Sequence, residues 1–221
     1  MSATASSPDG RWKFDVQGPV AGPGALSRVG VDEQGQRLYA HPYFERYLCA
    51  RFVPSGELIL IYHTEREDDP GAGLITRGFV IAEVYRETTP GDWLVVGGFA
   101  TEQVSRADHF LSVVDVGWHD QIGLAVVSTE KRDGGHARVL EVRGPLDAFS
   151  PRSSELSSCR KYEERLETAP WLLDEEGQWT ELSFDPSGTL RASDPKGVDA
   201  FDFAQRRRRR DAEPWRAFSS G

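Results

Sequence analysis

The sequence predicts a mainly β protein: a two-layer antiparallel β-sandwich or curved meander with one or two short helices. Three observations carry that expectation. Polar turns containing Gly recur five times, at Pro8-Asp9-Gly10, Asp32 to Gly35, Pro54-Ser55-Gly56, Asp174 to Gly177 and Asp185 to Gly188. Gly supplies the positive φ of tight turns, and Pro and Asp preset or hydrogen-bond the turn backbone. Each turn runs into a strand-sized stretch, and several of these alternate apolar and polar side chains with a period of two.

Arg11 to Val16 alternates most cleanly, with Trp12, Phe14 and Val16 on one face and Arg11, Lys13 and Asp15 on the other. Gly18 to Gly24 reads as a loop and Gln36 to Ala40 as a short strand. Tyr47 to Val53 and Glu57 to His63 read as a hairpin closed by Pro54-Ser55-Gly56. Leu58 to Tyr62 is apolar throughout, which suits a strand covered on both faces. Leu74 to Arg86 and Asp92 to Phe99 form a second hairpin across Thr88 to Gly91. Thr101 to Leu111 has Val104, Ala107 and Leu111 at helical spacing behind a Thr cap, so a short helix is expected there. Ser112 to Val116, Ile122 to Thr129 and His136 to Arg143 read as strands, the last two joined at Asp133-Gly134-Gly135.

Leu156, Cys159, Tyr162 and Leu166 predict a helix from about Ser154 to Thr168, ended before Pro170. Strands then resume through Ser193, and Asp199 to Phe203 alternates briefly. The total is roughly 11 to 13 strands. The five turn–strand segments also resemble blades of a β-propeller, so a propeller-like partial β array is the alternative fold. They lack a fixed repeat of about 40 residues.

At 221 residues, one β-rich domain over 9–205 with an Arg-rich C-terminal tail over 206–221 is expected. With 38% hydrophobic and 10% aromatic residues the composition is that of a chain with a core. Met1 to Ser7 has neither a basic start nor an apolar run, so no secretory leader is expected. No stretch approaches the roughly 18 apolar residues of a membrane span. Cys49 and Cys159 are read as reduced, buried thiols, and the expected location is cytoplasmic.

The net charge of −9 is uneven. Residues 206–221 carry six Arg against Asp211 and Glu213, a balance of +4, and the rest is −13. An acidic body disfavours whole-surface binding to nucleic acid or to anionic membranes. The 22 Arg, 4 Lys and absent Asn follow the codon bias of a GC-rich genome, so Arg abundance alone does not signal phosphate recognition.

G-x-S-x-G, H-E-x-x-H, Walker, G-x-G-x-x-G and C-x-x-C motifs are absent, which leans away from an enzyme. Four groups of residues carry candidate chemistry. His63, Glu65 and Glu67 alternate on one strand face, a pattern for a divalent metal or acid–base work, or for a solvated strand end. Trp118, His119 and Asp120, with His109 ten residues earlier, suit a ligand loop or a turn with Trp118 packed inward. Asp185 to Gly188 and Asp194 to Asp199 offer oxygens for calcium, without the spacing of a known loop. Arg206, Arg207, Arg208, Arg209 and Arg210 are the sharpest local feature: they suit phosphate, an acidic partner or contacts with the body itself.

These features point to a non-catalytic acidic interaction protein with no cofactor, of inhibitor or immunity type, steered by charge onto a basic protein partner. The alternatives are a hydrolase or metal-dependent enzyme using the His and carboxylate clusters, and a nucleic-acid-associated protein using the Arg tail. The oligomeric state is not encoded in these patterns.

Overall fold

The computed structural model describes residues 4–16, 24–29, 45–68, 75–103, 109–132 and 135–211. In chain order their strands are β1 (Thr4–Ser6), β2 (Trp12–Val16), β3 (Gly24–Arg28), β4 (Glu45–Phe52), β5 (Leu58–Asp68), β6 (Ile75–Thr89), β7 (Asp92–Gln103), β8 (His109–His119), β9 (Gly123–Arg132), β10 (Gly135–Arg143) and β11 (Pro145–Phe149). A short 3₁₀ turn (Ser154–Leu156) and helix α1 (Cys159–Glu167) precede β12 (Trp171–Gly177), β13 (Glu181–Phe184), β14 (Leu190–Asp194), β15 (Gly197–Asp202) and β16 (Arg207–Asp211). They build four sheets of order β1-β2-β3, β11-β7-β6-β5-β4, β12-β10-β9-β8 and β13-β14-β15-β16. The protein is mainly β and antiparallel, with a single short helix among the described residues.

Contacts divide the chain into two compact units, Met1–His109 with Pro145–Pro170 and Phe110–Gly144 with Trp171–Gly221. In the first, the β2 face bearing Trp12 and Phe14 shares a core with Leu58, Leu60 and Tyr62 of β5, Ile81 and Tyr85 of β6, and Trp93 and Val95 of β7. The alternation at Arg11 to Val16 therefore marks a strand with one buried face. Its turn is fixed by Ser7 and Asp9: the Asp9 carboxylate accepts from the Ser7 hydroxyl at 2.7 Å and the Arg11 amide at 3.0 Å. Leu58, Ile59, Leu60, Ile61 and Tyr62 are all buried, as a central strand requires.

Helix α1 closes this unit. Ser158 caps it by accepting from the Lys161 amide, and Tyr162 and Leu166 bury their side chains in the same core. The Tyr162 hydroxyl donates to Glu83 Oε1 at 2.5 Å. Tyr62 and Tyr85 donate to the same carboxylate at 3.0 Å each. Glu83 is only 1% exposed, so three phenols replace the water it loses on folding. Burial first, then the Glu83 charge, pushes the Tyr85 and Tyr162 hydroxyls well above the usual phenol range, keeping them donors. Gly98, opposite Glu83, has φ +141°, and a Cβ there would collide with the Ala82 carbonyl, so this position admits only Gly.

In the second unit, Ala125, Val127, Leu140 and Val142 of β9 and β10 pack against Leu190, Ala192 and Phe201 of β14 and β15, with Trp179 between them. Each unit is thus two facing sheets around its own apolar centre.

The structure departs from the sequence-based expectations in several places. The helix expected over Thr101 to Leu111 does not form at its ends: Thr101–Gln103 pairs with Gly78–Val80, and His109 begins β8. Residues 104–108 lie outside the described residues, as does the strand expected at Gln36 to Ala40. Asp174 to Gly177 is strand and not turn, because its backbone pairs with Arg138 to Glu141 of β10. Gly177 is required there by the Trp179 ring, which fills the space a Cβ would occupy. The expected tail begins as β16, paired with β15.

Candidate functional site

The arginine run is sorted by the pleat of β16. Register pairs Phe201 with Arg208 and Asp199 with Arg210, so these four side chains share a face. Asp199, 1% exposed, accepts from Trp179 Nε1 at 2.8 Å, Arg208 Nη2 at 3.2 Å and Arg210 Nη1 at 2.9 Å. Arg210 also holds both oxygens of Asp194, at 2.9 and 2.8 Å. That hydrogen bonding keeps the Asp194 carboxyl below its ordinary range and raises the Arg210 guanidinium. Arg208 pairs with Glu175 of β12 and lies over the Phe201 and Trp179 rings, 5.3 and 5.6 Å from their centroids. Arg208 and Arg210 thus act as a clasp over the core edge.

Arg206 and Arg207 are different. Arg206 is in the left-handed region (φ +52°), ending the β15–β16 turn. Both are exposed, and neither side chain has a hydrogen-bond or ion-pair partner among the described residues. With Arg208 they line a groove of about 530 Å³ whose other walls are Trp171, Leu172, Leu173, Glu175, Phe201, Asp202 and Phe203. Trp171 and Leu172 are 56% and 41% exposed, two of the three large apolar side chains left in water among the described residues. The groove lies between β12 and β16, each the last strand of its sheet.

Trp171 is held in place from behind. The Arg143 guanidinium stacks 3.0 Å from the Trp171 ring centroid and pairs with Glu141, both charges being buried. Burial raises the Glu141 carboxyl to about 7 despite Arg143. The same burial lowers Arg143. The Glu141 pKa in the folded chain lies above the value of about 4.5 in the unfolded chain, so the folded state holds the extra proton between them. The contribution of Glu141 to stability is then expected to fall as pH rises from about 4.5 to 7, by on the order of 3 kcal/mol, and to level off above. Urea unfolding of wild type and Glu141→Gln across pH 4–8 checks this: the variant lacks that part of the slope. Parallel curves would refute it.

The other sequence candidates take these positions. His63, Glu65 and Glu67 alternate along β5, so their backbone positions share one strand face. The side chains of Glu65, Glu67 and His109 lie outside the described residues. Among the described residues no group of three His, Cys, Asp or Glu side chains gathers as a metal site. Trp118 is buried, and its indole donates to Asp120 Oδ1 at 3.0 Å across the β8–β9 turn. His119 Nδ1 accepts from the Gln121 amide, and its ring packs on Phe184. Asp185 accepts from the Ser187 amide and hydroxyl and the Thr189 amide, the bonds of an Asx turn. Cys49 is half-buried, not fully buried as the sequence suggested, and is in no disulfide among the described residues.

Sequence reasoning reached Arg206 and Arg207 but missed Trp171 and Leu172. The available signal was Trp171-Leu172 directly after a helix-ending Pro and before three acids. No protein-family model matches the chain, and no curated protein is recognisably similar to it. No helix among the described residues is long and apolar enough to cross a membrane.

Proposed function

We propose that the chain is a non-catalytic binding protein and that the groove between β12 and β16 takes an anionic ligand with an apolar portion. The observation that carries this reading is the pair of unpartnered guanidinium groups, Arg206 and Arg207, beside an exposed and braced Trp171. Guanidinium forks suit carboxylate or phosphate, and a rigid exposed Trp gives contact area at low entropy cost. Titration of phenyl phosphate and of an Asp/Phe-rich peptide, read by Trp fluorescence, tests it. The Arg206→Ala/Arg207→Ala double variant should weaken binding at least tenfold, at about 1.5–3 kcal/mol per charged hydrogen bond lost. Its melting temperature should stay put, because neither side chain has a partner to lose. Wild-type affinity in the double variant would remove the groove from consideration.

A second reading is favoured by Asp174 and Glu176, exposed on β12 in a chain of net charge −9. They suit a basic protein partner, of the kind an inhibitor or immunity-type protein neutralises, brought in by charge steering. A lysine-rich peptide whose association rate is independent of ionic strength would count against it.

A further inference from the structure

Resting on the groove reading above, we infer that the buried Glu141–Arg143 pair is the positioning element of that groove: it holds Trp171 in the wall and couples the affinity for an anion to the charge on Glu141. The register between β10 and β12 is the first ground. Val142 pairs with Leu173, but Arg143 pairs with Trp171, so Leu172 is an extra residue on β12. In an unbroken ladder Arg143 would stand opposite Leu172, and Trp171 would share the face of Leu173. The bulge turns Trp171 onto the face of Arg143, as bulges re-aim side chains beside a site. That is what lets the guanidinium sit over the indole, 3.0 Å from the ring centroid.

The chain of contacts then runs inward. Glu141 and Arg143 are two residues apart on β10 and share its face. Arg143 Nε donates to Glu141 Oε1 at 2.5 Å, and both side chains are buried. Of the three residues, Trp171 alone lines the groove. Charges on the neighbouring strands bear on Glu141 as well: Glu130 of β9, which accepts from the Ser128 hydroxyl, and Asp174 of β12 both disfavour its carboxylate, while Arg143 favours it. Burial outweighs Arg143 and holds the Glu141 carboxyl at about 7. Below that pH Glu141 is neutral, so the Arg143 charge behind Trp171 adds to those of Arg206 and Arg207. Above it, the Glu141 carboxylate cancels Arg143 and an incoming anion is attracted less. Coupling between two sites is reciprocal, so an anion in the groove raises Glu141 in turn, and binding near neutral pH takes up a proton.

The test titrates phenyl phosphate into the full chain, wild type and Glu141→Gln, at intervals from pH 6 to 8. The ligand's own second proton leaves at about pH 6. Its effect is common to both proteins, so the ratio of their dissociation constants isolates Glu141. That ratio, wild type over variant, should rise by about threefold or more across the range, because only wild type gains a carboxylate. Calorimetry at pH 7 in buffers of different ionisation heat should show more proton uptake on binding by wild type than by the variant. A third readout follows the indole itself. With 5-fluorotryptophan in the chain, the Trp171 resonance, assigned by its loss in Trp171→Phe, should move with pH around 7 in wild type and stay still in Glu141→Gln. Parallel affinity profiles, or a Trp171 resonance that ignores pH in wild type, would overturn this inference. If phenyl phosphate binding is then still lost in Arg206→Ala/Arg207→Ala, the groove reading stands without it. Phenyl phosphate bound by neither wild type nor Glu141→Gln would end both.

Discussion

Glu83→Ala is expected to cost about 3–5 kcal/mol of stability, the largest single effect in the first unit. The substitution leaves the hydroxyls of Tyr62, Tyr85 and Tyr162 without the carboxylate they all donate to, in a site closed to water. Each buried donor left without its acceptor costs about 1–3 kcal/mol, and removing the buried charge returns part of the total. Tyr162 is the helix's contribution to the cluster, so helix α1 should loosen before the sheet does. Urea denaturation gives the magnitude, and hydrogen exchange over Cys159–Glu167 shows the order. Glu83→Gln keeps one acceptor oxygen and should lose less. Tyr162→Phe removes one donor and should cost about 1 kcal/mol. A Glu83→Ala protein within 1 kcal/mol of wild type would mean that the carboxylate does not organise these phenols.

The matching position in the second unit is Asp199. Asp199→Ala should cost about 2–4 kcal/mol and lower the melting temperature by about 5–15 °C. Its carboxylate is the shared acceptor for Trp179, Arg208 and Arg210. The Trp179 indole N–H is left buried and unpaired, whereas the two guanidiniums are 42–43% exposed and recover water. The expected loss is therefore smaller than for a fully enclosed ion pair. Asp199→Asn keeps an acceptor for Trp179 and should lose about half as much. Because Arg208 also faces the groove, Asp199→Ala should weaken peptide binding as well, whereas Glu83→Ala should leave it unchanged in the folded fraction. Unchanged protection of the β14–β16 amides in Asp199→Ala would show that the clasp is ornamental.

The β character was legible because it is local. Trp12 and Phe14 alternate with charged residues, Pro54-Ser55-Gly56 closes its hairpin, and Tyr162 and Leu166 sit four apart on helix α1. β12 was not legible, because Asp174-Glu175-Glu176-Gly177 has the composition of a turn. Only pairing with β10, more than 30 residues earlier, makes it a strand. β16 was hidden for a related reason. Five identical side chains have no alternation, and the pleat sorts them only through Asp199, Asp194 and Glu175 on other strands. The site divides in the same way. Arg206 and Arg207 stand out in the sequence, but nothing local distinguishes Trp118, which folds inward, from Trp171, which does not. Glu83 did leave a trace: a lone acid within Phe79 to Tyr85, an otherwise apolar run that folding would bury.

The two units interleave along the polypeptide, each built from two separate stretches of chain. Neither can therefore be cut out as one uninterrupted gene fragment. During translation, β7 leaves the ribosome about 40 residues before β11, its neighbour on that side. At about 5–20 residues per second, that margin stays uncovered for roughly 2–8 s in every nascent molecule. Until β11 seals it, that seam is consequently open to pairing with a sister chain on the same polysome.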